Sequence, residues 1–563
     1  MPMNVRPPGG SSGGSNLQVS NMNDFRGGLN MSDDLFKLGE TESPDMLNLD
    51  VHVRGGLVSR GGFTQIPDEI VNSGPLDGFN PDSNYLFSDV FQHKVADGNV
   101  VRFVVLASEV DDVMTVSLEV AADPDARYAV GVSGNPSFAT VYPGMVPSLS
   151  ATQMNDLILF FSKRYGIQYL DLNPNANLFQ PPTQSGDTLY TQREAIEASV
   201  ANETWGTSGA IPRAVHSTVW DNRMWVADTR EDGVEYRSRI RWSADGDPLT
   251  WDENDWIDVD VGEDGDCISA IAVHGEFLVV FKERAIYLIH IDDATLYRRI
   301  DLSKAAGASS QHSVVSTPYG LMFWDPRLGL HTWNSETAVP IGTKIQQAII
   351  EGRIPFGGNV SLSWVNDRVW CAVDLDDIRQ LLIYDPLTES WTRYQPAIER
   401  VHRFDQQLWG VSFVHGRWLE VETQSIGDDF GNGQEAIETY WVSPWFHGSN
   451  HVLPKRWRRP RFVLASTSGG QIDVSVRADL NPLNNVRQFM LDLPAHLSVS
   501  AWSAMVWGVD PMAAASSEFA ELVQGSAIGN FESVQFRIDG PEIPSKWRMD
   551  ALSVSYIPKV LRS

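Results

Sequence analysis

Asn366–Pro386 reads NDRVWCAVDLDDIRQLLIYDP: a polar pair, a run of β-branched and aromatic residues, a second polar turn, a second apolar run. Val, Trp, Ile and Tyr at this density suit a pleated, buried surface, and short polar turns between such runs mark hairpins. The order recurs in NDLILFFSKRYGIQYLDLN from Asn155, DNRMWVADTREDGVEYRSRIRWS from Asp221 and HGEFLVVFKERAIYLIHID from His274. It recurs again in YGLMFWDPRLGLHTWNS from Tyr319 and DQQLWGVSFVHGRWLEVET from Asp405, with a weaker seventh copy from Asp97.

The six turn positions are spaced by 66, 53, 45, 47 and 39 residues. Three of these match the roughly 40–50 residues of a four-stranded propeller blade, and the two longer ones hold insertions. One insertion, at about 174–214, is rich in Pro and Gly and contains REAIEASVANE (Arg193–Glu203), which reads as a short helix. Radial repetition also accounts for 19 Trp and 45 Gly, because wedge-shaped blades pack large side chains between flat sheets. An array of β-sandwiches is the alternative.

Outside the repeats the texture changes. Residues 1–22 are Gly-, Ser-, Pro- and Asn-rich and read as a flexible arm. After the linker-like GDDFGNGQEA, alternating strands such as RPRFVLAS, GQIDVSVRADL and WRMDALSVSYI lack the blade spacing and suit a sandwich. The expected fold is all-β, a β-propeller of six to eight blades followed by a C-terminal β-sandwich. Its expected division is a 1–22 arm, 23–70 N-terminal strands closing the propeller, a 71–425 propeller and a 426–563 sandwich.

Charge follows the same boundary. The chain of 563 residues carries a net −29, yet residues 430–563 hold 12 acidic and 12 basic side chains, leaving 60 acidic against 31 basic before them. That balance argues against sequence-independent DNA binding through clustered Lys and Arg. It leaves open a surface that DNA passes without adhering. Cys267 and Cys371 stand alone, and no apolar run approaches the length of a membrane helix.

Catalytic patterns are largely missing. There is no Gly-Lys pair for a P-loop, no HExxH and no GxSxG. The sialidase Asp-box has one imperfect match, Ser243–Trp251, where a repeat-borne motif would recur. Asp228–Asp266 holds 14 acids and 4 arginines, with Asp258, Asp260, Asp264 and Asp266 around DVDVGEDGD, but the EF-hand order is not met. Acidic turns facing water are the plainer reading. The single basic run is Lys455-Arg456-Trp457-Arg458-Arg459-Pro460-Arg461, readable as an interface strip for an acidic neighbour, a short nucleic-acid patch or a solvated strand edge. No catalytic residue, metal or cofactor is expected.

A resemblance joins these observations. Asn23–Asn30 (NDFRGGLN), Glu42–Asp50 (ESPDMLNLD), Arg54–Leu57 and Arg60–Phe63 resemble the N-terminal signature of tailed-phage structural proteins. Arg239–Ser243, Gly246–Trp251, Trp256–Val259, Gly265-Asp266, Val280–Tyr287 and Gly320–Trp324 are similar to the central stretch of the same family. The likeness spans about residues 23–350 and points to the nozzle, or tail tubular protein B, of short-tailed bacteriophages and related propeller-bearing tail proteins. It implies a virion protein assembled in the host cytoplasm, in which copies of the subunit form a ring, typically a hexamer, below portal and adaptor. That ring closes and then conducts the DNA channel without specific binding or membrane insertion, and the family has no catalytic residues. Under this reading Asp245, Asp247, Asp258, Asp260, Asp264 and Asp266 are candidate channel or rim carboxylates. Arg456, Trp457, Arg458, Arg459 and Arg461 are candidate subunit-interface residues. A minor tail or tip protein touching the host surface, and a glycan-binding or glycan-cleaving propeller, are the competing readings.

Overall fold

A computed structural model describes residues 17–559 outside 66–83, 122–130, 133–148, 172–211, 494–520 and turns of six residues or fewer, 261–266 among them. The Arg193–Glu203 segment lies outside the described residues. Helix among the described residues is limited to the single turns Gln311–Ser313, Thr343–Ile345 and Gln346–Ile350. Everything else that is regular is β.

Among the described residues seven sheets follow one another, over 84–132, 149–171, 213–258, 268–303, 314–340, 361–394 and 401–423. Each is an antiparallel meander, and the first strand of each packs on the first strand of the next. That is the radial arrangement of a β-propeller, with first strands at the axis and last strands at the rim. The polar pairs of the sequence repeats fall at the turns between first and second strands. Asp221 and Asn222 have φ of 50° and 55°, and Asn366 and Asp367 of 50° and 58°, the left-handed pair that a two-residue hairpin requires. The quoted repeats are therefore the two middle strands of each blade.

Middle strands are apolar on both faces because each face feeds a different core. Met224 and Val226 pack with Leu159 and Phe161 of the second blade, whereas Trp225 and Ala227 pack with Leu278 and Val280 of the fourth. Val279 and Phe281 then turn to Leu321 and Phe323 of the fifth. Period-2 alternation thus stays inside the strand while both faces remain dry.

The two ends of the chain depart from the expected division. Only Gly62–Gln65 closes the propeller, pairing with Arg417–Thr423 as an added strand of the last blade. Asp428–Asp429 and Gln434–Glu435 extend that same sheet, so the sandwich begins near Tyr440 rather than at 426. Gln18–Met22, inside the stretch read as a flexible arm, pairs in register with Leu552–Tyr556; residues 1–16 lie outside the described residues. Leu49–Val51 and Leu57–Ser59 belong to the same sandwich sheet, and Met46–Leu47 to the opposite one. Alternation in so short a polar stretch is a weak signal, and a strand that buries only Met22 does not stand out in composition. One core connects the two domains, with Phe25, Leu29 and Trp441 on the same cluster as Tyr384 and Trp391 of the sixth blade.

Arg60 locks this junction. Its Nη1 and Nη2 donate to the two carboxylate oxygens of Asp428 at 2.7 and 2.6 Å, and Nε donates to Asn48 Oδ1 at 2.9 Å. The Gly61 and Gln395 carbonyls accept the rest at 2.9 and 2.6 Å, so all five donors are used. The guanidinium sits 4.0 Å over the Phe63 ring, and the Phe63 N–H donates to Asp428 at 2.9 Å. Next to it, a Cβ on Gly62 would stand 2.1 Å from the Gly427 carbonyl, so only glycine lets these strands meet.

Breaking a buried ion pair from one side costs about 3–5 kcal/mol, because the other charge is left uncompensated. Arg60→Ala is expected to lower unfolding stability in urea by that amount, leaving Asp428 stranded. Arg60→Lys should recover only a minor part, since an ammonium cannot bridge both carboxylate oxygens and reach Asn48.

Candidate functional site

The carboxylate-rich stretch is the third blade and its exit. Its rim strand, Asp247–Asp258, carries Asp247, Asp252, Glu253, Asp255 and Asp258 within 12 residues. Behind it lies an ion-pair ladder. Arg241 donates from Nε and Nη2 to the two oxygens of Glu231 at 2.6 and 2.7 Å, and Arg239 donates to Asp258 at 2.8 and 3.1 Å and to Glu231 at 3.1 Å. The Arg239 guanidinium is sandwiched between the rings of Tyr236 and Trp256, at 3.8 and 4.0 Å.

The six candidate carboxylates do not converge. Asp245 and Asp247 flank the Gly246 turn on one face of the propeller. There Asp245 accepts from Asn222 Nδ2 at 2.7 Å, and Asp247 accepts from the Leu249 N–H and the Thr250 hydroxyl at 2.9 and 2.7 Å. Asp258 and Asp260 lie at the opposite end of the rim strand. Asp258 is held by Arg239, and Asp260 accepts from the Tyr287 hydroxyl at 2.7 Å. Asp264 and Asp266 lie outside the described residues. Among the described residues no group of three His, Cys, Asp or Glu side chains is placed to hold a metal ion.

The axial strands show the converse pattern. Leu149–Met154, Arg213–Trp220, Ile268–His274, Val314–Thr317, Ser361–Val365 and Val401–Phe404 contain no Asp or Glu. Hydroxyls and imidazoles take their place. Ser217 bonds Ser150 and Thr152 at 2.9 and 2.8 Å, and His216 Nε2 bonds the Ile268 carbonyl at 2.9 Å. Burial, reinforced by Arg400 and His216, pushes His312 down to about 3, so this imidazole is neutral. The first blade's opening strand, Asn84–Lys94, is the exception and carries Asp89. Sequence reasoning missed this pattern, although the signal was present: the run before the polar turn lacks carboxylates in the six stronger repeats.

The basic run is split by strand alternation. In Lys455–Trp457, Lys455 and Trp457 point inward and Arg456 outward. Trp457 is 1% exposed, stacks at 4.9 Å on Tyr556 and donates from Nε1 to the Phe531 carbonyl at 3.0 Å, so it anchors the sandwich core and presents no surface to a partner. Lys455 is equally buried and donates to the Leu453 and Glu532 carbonyls at 2.8 and 2.9 Å. Arg456, Arg458, Arg459 and Arg461 are exposed. Their strands are not an edge: Lys455–Trp457 is paired on one side with Gly529–Phe531 and on the other with Trp547–Pro558.

A cleft of about 410 Å³ opens between the Leu49–Ser59 hairpin and the fifth and sixth blades, lined by Asp50, His52, Tyr319, Asp367, Arg368 and Asp385 among others. Asp50 accepts from Arg368 Nη1 at 2.9 Å, and Asp385 accepts from the Leu387 N–H at 2.8 Å within its own turn. Two of its carboxylates are thus engaged within the fold.

No protein-family model and no curated protein matches this chain. Among solved structures it is similar to YCF48 bound to D1 peptide, at 11% identity and a TM-score of 0.29 over 53% of this chain and 91% of that one. It is also similar to Chaetomium thermophilum Raptor, at 10% and 0.31 over 65% of this chain and 29% of that one. A glycoside hydrolase matches at 11% and 0.23 over 84% of this chain and 99% of that one. Likenesses at these scores carry no functional argument, and the fold rests on the sheet topology.

Two outcomes follow from the site geometry. Burial pushes the Glu231 carboxyl up, but hydrogen bonds from Arg241 and Thr229 and the charges of Arg241 and Arg239 outweigh it and hold it below its ordinary value of 4.5. Its contribution to stability is therefore complete above about pH 4.5 and is lost as pH falls through the folded value. Glu231→Gln is expected to cost about 3–5 kcal/mol at neutral pH and to flatten the acid limb of a melting-temperature profile. Trp457→Ala should cost about 3–5 kcal/mol in denaturant unfolding, whereas Arg458→Ala should stay within about 0.5 kcal/mol.

Proposed function

We propose that this chain is a non-enzymatic structural subunit of a phage tail. Copies of it build a nozzle-like ring that closes and then conducts the DNA channel below portal and adaptor. The residues that resemble the tail family supply the first support. Phe25, Gly28, Asn48 and Arg60 occupy the propeller–sandwich junction, where a subunit must be rigid to hold position in a ring. Gly28 has φ of 62°, and a Cβ there would stand 2.6 Å from the Trp391 carbonyl.

The observation that carries the reading is the placement of charge. Carboxylates are absent from six of the seven axial strands, Asn84–Lys94 holding Asp89, and are concentrated on the rim of the third blade. A DNA path through the propeller's own axis has no use for such a distribution. A path outside the propeller, enclosed by several copies of a chain of net −29, passes surfaces of the same sign as phosphate, and the DNA is held off them. The partners of this function are further copies of the chain, the adjoining tail proteins and double-stranded DNA in transit.

Imaging of particles with this chain labelled is expected to place it in a ring around the tail axis; absence from the particle, or a position away from the axis, overturns the reading.

A further inference from the structure

Four exposed arginines follow one another along the Lys455–Trp457 and Arg461–Ser466 strands and the link between them. Arg456 is paired with Asn530 and Ile557, Arg461 with Gln524 and Ser553, and the Arg458 N–H bonds the Ser555 carbonyl. All of these neighbours are uncharged. Among the described residues, none of Arg456, Arg458, Arg459 and Arg461 forms an ion pair. Like charges side by side on a sheet face are destabilising, and in the middle of a sheet they do not serve to protect an edge. Exposed aliphatic side chains adjoin them: Leu522 is paired with Val463, and Val19 with Ser555. Arginine set among exposed aliphatics is the composition of a protein interface, and arginine is a favoured anchor in such surfaces.

The same chain carries the complementary surface. The third-blade rim strand is the outermost of its sheet, so one edge is unpaired, and Asp247, Asp252 and Glu253 on it are exposed. The arginines behind it are already shared between Glu231 and Asp258.

We propose that the strip Arg456, Arg458, Arg459 and Arg461 is the seat for the acidic third-blade rim of a second copy of this chain. This gives a head-to-tail contact between the sandwich of one subunit and the propeller of the next. The proposal rests on the ring reading and names its contact. A contact between two different patches is heterologous, and it closes into a ring when the rotation per subunit allows. Duplex DNA is the weaker occupant for the strip, because a chain of net −29 repels phosphate at long range.

Charge exchange in the full-length protein tests this. Sedimentation of the native chain is expected to show assembly at about 0.05 M salt and dissociation at about 0.5 M. Arg458→Glu/Arg459→Glu and Asp252→Arg/Glu253→Arg should each weaken self-association by at least about tenfold, with unchanged circular dichroism and melting temperature. An equimolar mixture of the two variants should restore assembly, since each reversed patch then meets its complement. A native chain that stays monomeric at every concentration overturns the proposal, as does assembly indifferent to both reversals or a folded mixture that fails to associate. Salt-dependent binding of a short DNA duplex lost in the strip variant, with assembly intact, assigns the strip to a polyanion instead. A ring that persists in both variants removes this contact while leaving the ring reading in place; absence of the chain from particles removes the ring reading itself.

Discussion

Arg60 and Asp428 are 368 positions apart in the chain, and the bond between them ties the strand ahead of the propeller to the extension of its last blade. A guanidinium out of water is costly unless every donor is met, and here the donors are met by three distant parts of the molecule and the adjacent Gly61 carbonyl. Asn48 comes from the sandwich strands, Gln395 from the end of the sixth blade, and Asp428 from the extension of the seventh. Removing any of these elements leaves the charge underpaired. The interaction therefore acts as a check on assembly of the fold, since it is favourable only when all three elements are in place.

From that junction outward the molecule separates polarity by radius. Middle strands are largely apolar on both faces, six of the seven axial strands lack carboxylates, and the densest run of carboxylates lies on the rim strand of the third blade. The arrangement follows from wedge geometry. Carboxylates facing each other across a narrow axis would repel at short range with little water between them, whereas at the rim solvent screens them. A propeller with a large acidic excess must place it outside, and the outside is what neighbouring molecules meet.

The parts legible in the sequence were those with a short period. The Asn366–Pro386 pattern and its relatives identified the middle strands, because apolar runs and left-handed turn residues such as Asp221-Asn222 are local features. What was not legible required long-range pairing. Gln18–Met22 looks like a linker until Leu552–Tyr556 is beside it, and Asp428 looks like a linker residue until Arg60 reaches it. Trp457 looked like an interface anchor because it sits among arginines, but alternation turned it inward with Lys455 while Arg456 faced out. Density along the sequence singles out the carboxylates of the third blade but carries no information on which end of the strand each one occupies.

The pairing of Gln18–Met22 with Leu552–Tyr556 has a temporal meaning. A ribosome making this chain releases the sandwich's first strands at the outset and their partners only at the close. In the interval the strands around Leu49 and Leu57 have no sheet to join, and the nascent chain carries unpaired edges past the whole propeller. Non-local pairing of this kind is slow to form and exposes sticky intermediates. Domain order in the finished protein is thus the reverse of a beads-on-a-string synthesis: the propeller, lying in the middle, is complete in sequence before either end can settle.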